Sequence, residues 1–289
     1  TQADGYRAAV RAVVDALATK LATASQKVAV FAPPLSPADL RFLKETHAAY
    51  GIDAVLLPDY SDTLDGVSWD EYLPLSPGGT RVEDLRGLGT VRAAIDFAAV
   101  DSPQSAGKLL SERFGVKSTR LAWPIGIRAS DAWLDRLSAL SGRPMPEQIK
   151  ACRGRLVDAY IDAHTHLFGA KAVVFGEADF VAALSGFLNE IGVQPILCAS
   201  GETNNRLSVA LEELGRSLPD EAIGEVMEGV DFASIENEAI RLKPDLIIGS
   251  SKGYPMARRM NVPLIRVGFP MHDRLGGPRL QHLVYQGAT

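Results

Sequence analysis

The chain has 289 residues, of which 46% are hydrophobic and 22% charged, with a formal net charge of −5 at pH 7. That composition is ordinary for a soluble globular protein, and the length is enough for two domains. The negative balance leaves no basic field for nucleic acid or an anionic membrane, and no apolar run approaches the ~20 residues of a membrane-spanning helix. The start, Thr1-Gln2-Ala3-Asp4-Gly5-Tyr6, reads as neither signal nor transit peptide. Without an initiator Met, the chain is expected to be part of a longer protein. Cys152 and Cys198 are too few for a disulfide framework or a four-thiolate cluster. They point to a reducing cytoplasm and to small, buried, apolar roles.

In chain order, Tyr6 to Thr23 repeats apolar residues at helical spacing. Lys27 to Ala32 is a buried strand stopped by Pro33-Pro34. Ser36-Pro37 opens a helix with a capping hydroxyl and a proline at its first position. That helix ends at Gly51, and Ile52 to Leu57 follows as a strand. Pro58 to Gly79 shows no sustained period and reads as loop. Ser102 to Phe114 is a helix closed by Gly115, and Arg120 to Trp123 a short strand. A helical region from Ala129 to Phe168 is broken at Gly142-Arg143-Pro144-Met145-Pro146.

The second half alternates more regularly. Strands are expected at Ala172–Phe175, Pro195–Ala199, Asp245–Ile248 and Pro263–Val267. Helices are expected at Asp179–Ile191, Asn205–Leu214, Phe232–Leu242 and Tyr254–Met260. Continuous apolar strands alternating with helices predict parallel sheets covered on both faces, an α/β fold. The expected boundary separates a domain over 1–145 from another over 146–289.

Such sheets bind ligands beyond the carboxyl ends of their strands. Gly249-Ser250-Ser251-Lys252-Gly253 sits at one such end, yet it departs from the phosphate-loop consensus, and no GxGxxG occurs. A tight strand-to-helix turn is favoured there over a nucleotide site. His164 and His166, two apart on a helix, diverge by about 200° and cannot share a metal. His272-Asp273-Arg274 could move a proton, but no nucleophile is placed with it, and an ion-paired turn is favoured. Asp59, Asp62, Asp65 and Glu71 crowd one loop without calcium-loop spacing.

Several segments, in order, resemble the nitrogenase component 1 family. They are Leu57-Pro58-Asp59-Tyr60-Ser61-Asp62-Thr63-Leu64-Asp65-Gly66, Gly78-Gly79-Thr80, and Pro124-Ile125-Gly126-Ile127-Arg128-Ala129-Ser130-Asp131. Arg153-Gly154-Arg155-Leu156-Val157-Asp158, Gly249 to Gly253, and Pro263 to Arg274 continue the series. The resemblance implies a subunit of three Rossmann-like domains, of which this chain is similar to the second and third. The family's bridging iron–sulfur cluster, shared with a partner, would then be held by the first, cluster-binding domain, absent here.

In the α-type subunits of the family one Cys and one His hold the large metal cofactor. Those positions fall at Ala99 and Gly268, so the resemblance is to a β-type subunit with no metal, cofactor or catalytic residue of its own. The loop from Leu57 and the His272-Asp273-Arg274-Leu275-Gly276-Gly277 tail are most similar to the β-type subunit of the scaffold that assembles the iron–molybdenum cofactor. The catalytic nitrogenase β-subunit is the alternative. The resemblance implies an α-type partner in a two-plus-two heterotetramer, and an ATP-dependent iron–sulfur reductase. Two patches are expected to meet partners: Asp59, Ser61, Asp62 and Asp65; and Gly268, Phe269, Pro270, His272, Asp273 and Arg274.

Overall fold

The computed structural model describes residues 2–219 and 222–288. The chain forms two compact units. The first comprises residues 1–121, 133–146 and 278–281, and the second residues 122–132, 147–277 and 282–289.

The first unit holds α1 (Gln2–Leu17), β1 (Val28–Phe31), α2 (Pro37–Ala49), β2 (Ala54–Leu57), α3 (Ser61–Leu64) and α4 (Val82–Arg86). β3 (Ala93–Phe97), α5 (Ala106–Phe114) and β4 (Ser118–Leu121) follow. α6 (Gly126–Ser141) begins among residues of the second unit and ends among those of the first. The four strands are parallel, in the order β2-β1-β3-β4. Ala29, Phe31, Val55, Leu57 and Ala94 point to one face, where they pack with Val14 of α1, Leu85 of α4 and Leu110 of α5. On the other face Phe97 meets the Trp133 ring of α6 edge-on, and Trp133 meets His47 of α2.

The cap of α2 forms as the sequence indicates, with the Asp39 backbone N–H donating to Ser36 Oγ at 3.0 Å and Pro37 in the first turn. Several features differ, among them a short helix, α3, inside the segment read as loop and a later start of α5, at Ala106. α1 stops at Leu17, where the backbone N–H of Thr19 is drawn to the Arg86 carbonyl at 2.9 Å. β4 begins and ends two residues earlier than expected, in register with β3. β3 itself, central in the sheet, is invisible in the sequence, because Ala93-Ala94 and Asp96 carry little strand propensity. Its burial comes from neighbours on both sides.

The second unit holds α7 (Glu147–Leu167), β5 (Lys171–Gly176), α8 (Ala178–Glu190), β6 (Gln194–Ser200), α9 (Arg206–Gly215) and β7 (Glu225–Glu228). α10 (Phe232–Leu242), β8 (Leu246–Gly249), α11 (Tyr254–Met260), β9 (Leu264–Arg266) and the short α12 (Val284–Gly287) complete it. Its parallel sheet has the order β7-β6-β5-β8-β9. Strand order therefore reverses between β5 and β8, the switch point where such sheets open a crevice. Val173, Leu197 and Ile247 pack against Ile235 and Ala239 of α10 and Met256 and Ala257 of α11. α8, with Val181, Ala182 and Leu184 buried, packs along β5 and β6. β7 is a second unexpected strand: Glu225 and Glu228 close a four-residue edge that no apolar run announces. Among the described residues no helix is long and apolar enough to cross a membrane.

Candidate functional site

The carboxyl edge of the second sheet is where a Rossmann-like unit would hold a phosphate, on bare helix amino ends. Here acidic side chains already occupy three of those ends, at α8, α9 and α10. Glu202, 2% exposed, accepts from the Ala178 backbone N–H of α8 at 2.9 Å. Glu228 accepts from the Leu207 backbone N–H of α9 at 2.6 Å and from the Ser208 hydroxyl at 3.0 Å. Asp231 caps α10 through the Ser234 backbone N–H at 2.9 Å. Asp179 and Arg206, both buried, close the same edge with a two-pronged pair at 3.1 and 2.8 Å. An incoming phosphate would meet carboxylates in place of free N–H groups. The sequence reading missed all of these acids, since no local spacing links Glu202 to Ala178 or Glu228 to Leu207.

The Gly249–Gly253 turn is explained by packing. A β-carbon on Gly249 or on Gly253 would lie 2.5 Å from Cζ of Phe175. Both glycines therefore let the backbone close over that ring, which itself stands edge-on to Phe232 at 5.3 Å. Gly268 lies just past β9 with φ +88°, and a β-carbon there would come within 3.3 Å of Cε1 of Phe180. Phe180 in turn stacks with Trp123 at 5.2 Å.

Of the tail residues, Phe269 and Pro270 follow Gly268 and are joined to each other by a cis bond. His272, Asp273 and Arg274 are exposed. Asp273 is held by Arg266 at 2.7 Å, and Arg266 lies over the Tyr254 ring at 5.1 Å. His272 contacts Ser251 through its backbone N–H at 3.3 Å. The imidazole has no carboxylate partner among the described residues; Asp273 pairs with Arg266 within the turn instead. Arg274 makes no ion pair among the described residues.

The acidic loop of the first unit turns largely inward. Asp59 accepts from Lys44 Nζ at 2.9 Å and from the Ser61 hydroxyl at 2.7 Å. Burial alone would raise its carboxyl, but the hydrogen bonds from Ser61 and Lys44 outweigh that and hold it below the ordinary carboxylate value. Asp65 accepts from Arg41 at 2.6 Å and from Arg279 at 3.0 Å. Ser61 is fully buried, and Asp62, its side chain 48% exposed, is the outward member of the four. These groups anchor the segment beyond them, which displays Leu64, Val67, Trp69, Tyr72, Leu73 and Leu75 to solvent.

On α7, His164 leans on Phe168 at 4.7 Å, and His166 and Asp162 stay exposed without bonding to one another. Only Leu156 of this 21-residue helix is buried. Its outer surface carries Val157 and Ile161 beside Asp158 and Asp162, and exposed Phe168 follows its last residue.

An iron–sulfur cluster needs several thiolates close together. Cys198 is enclosed beside the Ser185 hydroxyl, and burial pushes its thiol up to about 11. Cys152 is half-buried beside Gln286 and Arg155. No group of three or more His, Cys, Asp or Glu suited to a metal occurs among the described residues. The described residues do not fit a cluster.

Two parallel-sheet units, the second with carboxylates at the amino ends of its helices, define a Rossmann-like α/β protein. A sequence profile described as nitrogenase component 1 type oxidoreductase matches residues 1–289, and the chain belongs to that family, as a β-type member. The nitrogenase molybdenum–iron protein beta chain of Clostridium pasteurianum is 31% identical over 288 residues, covering 98% of this chain and 62% of that relative. The iron–molybdenum cofactor biosynthesis protein NifN of Mesorhizobium japonicum is 29% identical over 287 residues, covering 98% of this chain and 59% of that one. The solved structure titled "Nitrogenase Cp1 at pH 6.5" superposes with a TM-score of 0.92 at 30% identity, over 98% of this chain and 62% of that one. The chain thus spans about three fifths of the relatives it matches.

Proposed function

We propose that this chain is the β-type subunit of a nitrogenase-like complex, and specifically of the scaffold on which the iron–molybdenum cofactor precursor is matured. The carrying observation is at Gly268. The resemblance places a cofactor-binding His of α-type subunits there. Here the backbone is left-handed, and a β-carbon would press on Phe180. Ala99 stands at the corresponding Cys position and offers a methyl group. Metal anchoring would fall to an α-type partner, in a two-plus-two heterotetramer served by an ATP-dependent reductase. The bridging cluster would be shared through a further domain. The exposed apolar side chains between Val67 and Leu75 and on α7 support a subunit covered by other chains. A free-standing nucleotide binder is disfavoured by the carboxylates at the helix amino ends.

The second reading is a catalytic β-subunit passing electrons to a partner's active site. Relatives named as nitrogenase molybdenum–iron protein beta chains and as NifN match at nearly equal identity, which favours keeping it. The deciding experiment co-expresses the full-length protein with its α-type partner and measures complex mass, iron content and dinitrogen reduction with reductase and ATP. An iron-containing heterotetramer that transfers cofactor to an apo-nitrogenase without reducing substrate supports the scaffold. Substrate turnover by the complex supports the catalytic reading. A monomer without a partner overturns both.

A further inference from the structure

The first unit has a cavity of about 680 Å³ at the amino ends of β3 and β4. This is the edge away from the one where Rossmann-like sheets place their ligands, so no feature of the family fold accounts for what lines it. Its walls include Lys20, Arg92, Lys117 and Arg136, and no Asp or Glu. Lys20 follows α1, Arg92 precedes β3, Lys117 precedes β4, and Arg136 projects from α6.

None of the four cations forms an ion pair with a carboxylate among the described residues. Arg92 donates to the Leu140 carbonyl at 2.5 Å. The Nε of Arg136 is buried with no hydrogen-bond partner. Cations also collect near helix carboxyl ends to offset the dipole, and Lys117, just beyond α5, is in that position. That explanation does not reach the Arg136 Nε, which has no carbonyl to receive its proton. In a chain of net charge −5, four unpaired cations around one cavity are a local reversal of sign. The volume falls within the ~300–1,000 Å³ of small-molecule sites.

We infer that this cavity is a binding site for a small organic or inorganic anion carrying two or more phosphate or carboxylate groups. Guanidinium forks at Arg92 and Arg136 would fix the orientation, and the ammonium groups of Lys20 and Lys117, at the exposed rim, would add charge without geometric demand. The site is independent of the cofactor chemistry proposed above.

The test is calorimetric titration of the full-length protein, in its native assembly, with pyrophosphate and separately with citrate, at matched ionic strength. Saturable binding of one equivalent of either is expected, pyrophosphate marking a phosphate site and citrate a carboxylate site. Arg136→Met should weaken it at least tenfold. Because Arg136 contributes to packing, the double variant Lys20→Gln/Lys117→Gln, altered only at exposed positions, should weaken it as well. Bound pyrophosphate should also shield Lys20 and Lys117, but not Lys150, which does not line the cavity, from an amine-acylating reagent. Absence of saturable binding overturns the assignment, including where an acidic protein segment fills the cavity in the assembly. Equal affinity in both variants, or equal shielding of Lys150, overturns it too.

Discussion

Arg153 grips Asp131 with two donors, Nε at 2.9 Å from Oδ1 and a terminal nitrogen at 2.8 Å from Oδ2, and so joins the start of α6 to α7. The Tyr285 hydroxyl donates to the same carboxylate. Three segments distant in sequence converge on one side chain, two of them among the stretches that resemble the nitrogenase component 1 family.

Burial would raise the Asp131 carboxyl, but the hydrogen bonds from Arg153 and Tyr285 prevail and hold it below its ordinary value. A depressed carboxyl contributes stability above its unfolded pKa and loses it as pH falls through the folded one. Asp131→Asn should therefore cost about 1–2 kcal/mol at pH 7, discounted for partial exposure. The gap between variant and wild type should narrow as pH falls below about 4. Urea unfolding at pH 7 and pH 3.5 checks this; a gap independent of pH would refute it.

His47 is the opposite kind of group. Burial holds it down to about 4, although the Leu43 carbonyl, 2.7 Å from Nδ1, pulls the other way. The folded chain rejects a proton that the unfolded chain takes up near pH 6.5. Stability should fall as pH drops from 6.5 toward 4, by up to ~1.4 kcal/mol per pH unit from this residue. His47→Gln should flatten that slope in denaturant midpoints measured at pH 7.5, 6 and 5.

The Arg206–Asp179 pair is 5% exposed on each side chain. Arg206→Met would take the guanidinium from the buried Asp179 carboxylate, at a cost of roughly 3–5 kcal/mol. The double change with Asp179→Leu should recover part of the loss. Thermal unfolding of the three variants measures the coupling, and additive losses would show the pair to be unimportant.

Asp65 ties Arg41 of α2 to Arg279 near the carboxyl end, within the first unit. Asp65→Ala should release the segment that follows. Protease cleavage between Gly66 and Gly79 should accelerate, with a stability loss of about 1–3 kcal/mol. An unchanged cleavage pattern would mean that Lys44 and Asp59 suffice to hold it.

Arg274 is exposed and unpaired among the described residues. Arg274→Ala should leave the melting temperature within experimental scatter, since surface changes of this kind are worth about ±0.5 kcal/mol. It should reduce recovery of the α-type partner in co-purification. Unchanged recovery with lost activity would instead place Arg274 in chemistry.

The class of fold was legible because long periodic helices and buried apolar strands announce themselves locally: Ser36-Pro37 opens α2, and Val28–Phe31 forms a strand buried along its length. The series of family-like segments was legible too, as was the want of donor atoms at Ala99 and Gly268. β3 and β7 were not, because alanines and glutamates become strands here only through the partners beside them. Nor could a linear reading tell that Asp59 and Asp65 turn inward, that Phe175 demands Gly249, or that Glu202 and Glu228 stand where a phosphate would sit. Each of those depends on atoms brought together from distant parts of the chain, and contact at that range is a property of packing that local propensity and spacing do not carry.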